Sequence, residues 1–102
     1  MQNKTLTGKQ IRHLRSLGHH LPPVMIIGGN RITEGVTKHV NQVLEQHELI
    51  KIRVSDAEKA EVIEVGEQLC EQTGAIQAQR IGHTLLLYRK RLEGKPTIKL
   101  PR

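Results

Sequence analysis

Residues 28 to 31 read Gly-Gly-Asn-Arg, and no other segment has side-chain types and spacing so close to those of a ligand site. Two successive positions without a Cβ let a ligand approach the backbone. Thr33 then opens a helix whose free N–H groups and partial positive charge favour a phosphate. Gly28, Gly29, Asn30, Arg31 and Thr33 are therefore the candidate binding loop, with Lys38 adding charge one turn further on. A plain tight turn accounts for two glycines after a strand equally well. The segment is not a Walker sequence, because the lysine and hydroxyl pair after a second glycine are missing, and it lacks the GxGxxG fingerprint.

Other residues with chemical potential have weaker spacing. The six histidines, His13, His19, His20, His39, His47 and His83, fall into neither the close Cys/His pairs of a zinc module nor an HExxH helix. No metal and no cofactor is expected. Glu58, Glu61, Glu64, Glu67 and Glu71 repeat at three and four residues, the pattern of one solvated helix face. Paired carboxylates doing acid and base work need unequal surroundings, which an open face does not supply. Cys70 is the one cysteine and reads as a core residue.

These residues sit in a chain of 102 residues, the length of one domain with one core. Its 36% hydrophobic fraction includes no Phe or Trp, so Val, Ile and Leu must fill that core, as in a sheet covered by helices. Sixteen Lys and Arg against ten Asp and Glu give a formal charge of +6, which implies a polyanionic partner. No run approaches a membrane span and the start lacks the apolar stretch of a signal peptide, so a cytoplasmic location and no membrane partner are expected. The charge is segregated. Residues 1 to 54 carry eight Lys or Arg against three acids, residues 55 to 73 one against six, and residues 74 to 102 seven against one. Lys9, Arg12, Arg15, Arg31 and Lys38 belong with the cations of the strands and tail, and folding should gather part of this set on one side, away from the acidic helix.

The elements that must position them follow from periodicity and caps. Thr7 and Gln10 form a capping-box pattern, and Ile11, Leu14 and Leu17 recur at helical spacing up to Gly18. Pro22 and Pro23 exclude helix, so the β-branched run from Val24 to Ile27 is a strand, followed by a loop from Gly28 to Ile32. Thr33 caps a second helix with Val36, Val40, Val43 and Leu44 on its inner face, ending near His47. Leu49 to Val54 alternates apolar and basic, a half-buried strand with Lys51 and Arg53 on its cationic face. Ser55 and Glu58 are expected to cap a third helix that Gly74 ends, with Val62, Val65, Leu69 and Cys70 inward. Strands at Ile76 to Ile81 and Thr84 to Arg89 meet in a hairpin at Gly82 and His83. The tail is polar and basic, expected to be loosely held, with Ile98 and Leu100 able to dock. The expected fold is α/β (α+β), order αβαβαββ, a mixed four-stranded sheet with about three helices, with residues 1–91 as the domain and 92–102 as a basic tail.

Several blocks together resemble the CRM domain family and, within it, the single-domain bacterial YhbY-like proteins. They are LTGKQIRHLRSLGHHL, IGGN followed by TEGV, HELIKIRV at His47 to Val54, TGA at Thr73 to Ala75, and IGHTLLLYR from Ile81 to Arg89. The resemblance runs from about Leu6 to Arg91. It implies a fold like the carboxyl-terminal domain of bacterial translation initiation factor three, a KH-like GxxG loop as RNA contact, and association with precursors of the large ribosomal subunit. Family members usually carry glycine at the end of that loop, where this sequence has Arg31. Asn30 is expected to absorb the turn while Arg31 replaces close approach with a charged reach.

Three functions are consistent with these features. The first is a noncatalytic, monomeric RNA-binding module, whose lack of aromatics suits a grip on the backbone rather than a stacking sheet; Tyr88 then reads as a half-buried core residue. The second is a nuclease or RNA-modifying enzyme using His and Glu, which needs a pocket of perturbed acids and bases. The third is an adaptor whose basic face docks on an acidic protein.

Overall fold

Helix starts are set by short-range side-chain bonds. The Thr7 hydroxyl accepts the Gln10 amide at 3.1 Å and Gln10 Oε1 accepts the Thr7 amide at 2.9 Å, closing the expected box. Thr33 Oγ1 accepts the Val36 amide at 3.1 Å. The third start differs from expectation. Ser55 belongs to the preceding strand, Asp56 turns the chain with φ 49°, and the cap is Glu58, whose amide donates to Glu61 Oε1 at 2.8 Å. Ser55 pairs with Gly28 at the end of its strand, and the turn at Asp56 delays the helix to Lys59, out of reach of the Ser55 hydroxyl as a cap.

The computed structural model describes residues 6–28 and 32–101. Its elements are α1 (Gly8–Gly18), β1 (Met25–Gly28), α2 (Glu34–His47), β2 (Leu49–Ser55), α3 (Lys59–Thr73), β3 (Ile76–Ile81) and β4 (Thr84–Tyr88). They form one domain with the expected order and one sheet, β1-β2-β4-β3. β1 runs parallel to β2, and β4 is antiparallel to both β2 and β3. Gly74, at φ 77°, ends α3, and Gly82, at φ 56°, makes the β3–β4 turn; both are backbone conformations that a Cβ disfavours.

The sheet is covered on both faces, and the period of two along its strands sorts the core into two layers. Ile50, Ile52, Val54, Leu85 and Leu87 point to one side, where Val40 and Leu44 of α2 and Val62, Val65 and Leu69 of α3 pack on them. Leu49, Leu86 and Tyr88 point to the other, where Leu14 of α1 covers them. Tyr88 is buried more fully than its sequence context suggested, at 6% exposure, because α1 and the carboxyl-terminal tail close over it.

The tail is held rather than loose, and Ile98 and Leu100 dock as the sequence allowed. Ile98 and Leu100 pack against the α1 layer, and Gln10 Nε2 donates to the Pro101 carbonyl at 3.0 Å. The buried carboxylate of Glu48 accepts the amides of Arg91, Thr97 and Ile98 at 2.8, 2.6 and 2.8 Å. Glu45 accepts those of Leu92 and Glu93, at 2.9 and 2.8 Å. Arg91 donates to the carbonyls of Glu45 and Gln46 at 2.9 and 2.7 Å, placing a cation at the negative end of α2. Composition alone marked the segment as loose; two carboxylates that collect its amides hold it.

Candidate nucleic-acid interface

The predicted site residues fall on both sides of the sheet. Gly28 ends β1, an edge strand, and is exposed; a Cβ built on it meets no atom within 4 Å. Space outside the backbone is open there, as close approach by a ligand requires. Gly29, Asn30 and Arg31 lie outside the described residues. Thr33 is placed as α2's N-cap, so its hydroxyl already serves the helix, and Glu34 puts a carboxylate in the first turn. That acid shares the helix's positive end with any incoming anion.

Lys38 lies on α2, in a groove of about 1000 Å³ that also contains Glu34, Glu45 and Glu93. The α1 cations are elsewhere. Lys9, Arg12 and Arg15 belong to the helix on the opposite face, with Lys9 and Arg12 on its exposed surface. Arg15 donates from Nε to the Ala78 carbonyl at 3.2 Å, which ties α1 to β3, the edge farthest from β1. Three strand spacings separate those edges, about 14 Å. The structure therefore joins Lys9 and Arg12 to the α1 face, gives Arg15 a tethering bond, and leaves Lys38 and Thr33 on the other side.

Two cations absent from the predicted set share the α1 face. Lys51 and Arg53 alternate with Ile50, Ile52 and Val54, and those three point to the α2/α3 layer. Their spacing marked them as one cationic side of a strand; which layer covered that side depended on long-range packing. Neither α1 nor any strand contains an Asp or Glu. The acidic α3 packs on the reverse of the sheet, where Glu58, Glu64, Glu67 and Glu71 are exposed. Segregation along the sequence thus becomes segregation between the faces of a sheet.

The titratable groups that the fold perturbs serve structure. Burial opposes ionisation of Glu48, but the Arg91, Ile98 and Thr97 hydrogen bonds outweigh it and hold the carboxyl below its ordinary range. Hydrogen bonds from the Leu92 and Glu93 amides do the same for Glu45. Burial pushes the Cys70 thiol up to about 11, leaving it protonated at neutral pH. Burial, with the Glu48 charge nearby, raises Tyr88. Among the described residues no group of three or more His, Cys, Asp or Glu is placed to hold a metal, and His19 and His20 pack edge to face at 5.3 Å. No helix among them is long and apolar enough to cross a membrane.

An α/β domain with an acid-free cationic helix and sheet on one side, and an acidic helix on the other, is the class this architecture defines. The model of the CRS1 / YhbY (CRM) domain matches residues 6–89, and the chain belongs to that family. It is 44% identical over 98 residues to a protein of Haemophilus influenzae named "RNA-binding protein", covering 96% of this chain and 97% of that one. It is 38% identical to "Probable RNA-binding protein YqeI" of Bacillus subtilis, covering 94% and 99% of the two chains. The fold is similar to the solution structure of SAV1595 from Staphylococcus aureus, with TM-score 0.80, 40% identity, and 95% and 100% coverage.

Proposed function

We propose that this chain is a noncatalytic RNA-binding protein that holds a phosphate backbone between the loop after β1 and the cationic surface of α1. The absence of Asp and Glu from α1 and the strands, set against the acidic α3 on the reverse, carries the reading: it orients a polyanion toward one side of the molecule. The open space beside Gly28 supports contact at the loop, and Arg31 is the side chain assigned to reach a phosphate there. Family membership and relatives named for RNA binding support the same partner. In a fuller form of this reading the protein acts as a cytoplasmic monomer, the loop grips in the KH manner, and the RNA is that of large ribosomal subunit precursors.

Affinity for a structured RNA fragment, measured between 50 and 200 mM salt, tests the proposal. Binding should fall steeply with salt, and the slope should drop by about one per cation when Lys9, Arg12 or Arg31 is changed to Ala. Arg15→Ala should change the slope less, since its guanidinium is already bonded to Ala78. A salt-independent affinity, or none, removes the proposal. Crosslinking in cells followed by sequencing of the attached RNA tests the ribosomal assignment, and recovery of RNA without enrichment of large-subunit rRNA removes that part alone.

A further inference from the structure

α1 covers only part of its face of the sheet. It packs on β2, β4 and β3, and Gly18 at its end sits on Leu86, where an added Cβ would come within 2.6 Å of the leucine. Beyond Leu86 the strands continue without a helix above them. A lateral row there runs across all four strands, because Ile26 pairs with Arg53, Arg53 with Thr84, and Thr84 with Ile81. Ile26 and Ile81, on the two edge strands, are each 65% exposed and mark the two ends of this row. In the neighbouring row Lys51 pairs with Leu86, and Leu86 with Gln79. A shallow hollow of about 270 Å³ lies where the two rows meet the end of α1, lined in part by His19, Lys51, Gln79, Ile81 and Thr84.

We infer that this open part of the sheet receives an unpaired stretch of RNA, with bases on Ile26, Ile81 and the Arg53 guanidinium and a phosphate on Lys51. The inference rests on the RNA-binding reading and adds the class of RNA and the surface that selects it. An uncovered row that is apolar at both ends and cationic between them matches a ligand with exposed flat rings and regular negative charge. Duplex RNA hides its rings, so only its backbone would meet the isoleucines. A second copy of this chain is a poor occupant, because a two-fold contact would bring Lys51 and Arg53 close to their own copies. The Arg53 guanidinium plane stacks on a base as an aromatic ring would, and Gln79 and Thr84 present groups to a base edge. The row crosses β1 at Ile26, two residues before Gly28, so one strand of RNA can run from the sheet to the loop.

The test compares a mixed-sequence 12-nucleotide RNA with its perfect duplex, using the full chain, by fluorescence anisotropy and by backbone amide shifts. The single strand should bind more tightly and shift the amides of Ile26, Arg53, Ile81 and Thr84. Ile81→Ser should lower the preference for single strand over duplex about fivefold through lost apolar contact, and Arg53→Gln should lower it further. Both side chains are exposed, and an unchanged thermal transition checks the fold of each variant. Equal binding of both RNAs, or shifts confined to α1 and the residues flanking the loop, overturns the inference and leaves the RNA-binding reading standing. Binding of neither RNA overturns both. Single-strand affinity and preference unchanged in both Ile81→Ser and Arg53→Gln take the face out of the RNA site and also overturn the inference.

Discussion

Glu48 Oε1 accepts the amide of Ile98 at 2.8 Å, joining the residue after α2 to one fifty positions later. Glu48 is fully buried and takes φ 64°, a conformation uncommon for a non-glycine residue. The strain is tolerated because this geometry aims one carboxylate at three tail amides while the Glu48 carbonyl accepts the Arg89 amide at 2.9 Å.

Removing that carboxylate should release the tail before it unfolds the domain. Glu48→Ala is expected to lower stability by about 2 to 3 kcal/mol, the scale of hydrogen bonds to a buried charge. Hydrogen exchange should speed up first at Thr97 and Ile98, as a residue-resolved measurement would show. Unchanged protection at those amides would contradict the anchoring role.

Acid should do reversibly what the mutation does permanently. The folded state holds Glu48 and Glu45 below their ordinary values, so their contribution is fully present above the unfolded value of about 4.3 and is lost as pH falls through the folded ones. Melting temperatures between pH 7 and pH 3 should therefore fall in the acid limb, with tail amides losing protection there. Glu48→Gln should make that limb shallower, since of the two carboxylates only Glu45 then remains to titrate.

Gly18 and Gly28 should respond oppositely to alanine. At Gly18 the new Cβ meets Leu86 Cδ1 at 2.6 Å, so Gly18→Ala should cost about 1 to 3 kcal/mol through overpacking between α1 and the sheet. At Gly28 it meets nothing within 4 Å, so denaturant midpoints should be unchanged. Any RNA affinity lost by Gly28→Ala then reports close approach of the ligand to the backbone.

Arg89 should not be replaceable by lysine. Its guanidinium donates to Asn41 Oδ1 at 2.6 Å and to the Thr73 carbonyl at 2.9 Å, and lies 3.5 Å from Glu45. These bonds tie α2 to the end of α3. Lysine has the charge without the fork, so Arg89→Lys should still lose about 1 to 3 kcal/mol in urea unfolding.

Much of the architecture was legible in the chain itself, because its causes are local. Thr7 with Gln10, Thr33, Gly74 and the Gly82 turn act within a few residues, so element order and most boundaries follow from spacing. The Ser55 cap failed because β2 runs on through Ser55, paired with Gly28, and the chain turns at Asp56 before α3 starts at Lys59. The charge segregation was equally readable, since it lies in consecutive segments.

Sequence alone determined the helices, the strands, the alternation of apolar and basic residues along β2, and where positive and negative charge lie along the chain. Tertiary structure decided which of these share a side. Strand order β1-β2-β4-β3 sent Arg15 to the edge opposite Gly28, put Lys51 and Arg53 beneath the same sky as Lys9 and Arg12, and left the row from Ile26 to Ile81 uncovered. Those outcomes depend on contacts between residues tens of positions apart, and such contacts leave no trace in local periodicity.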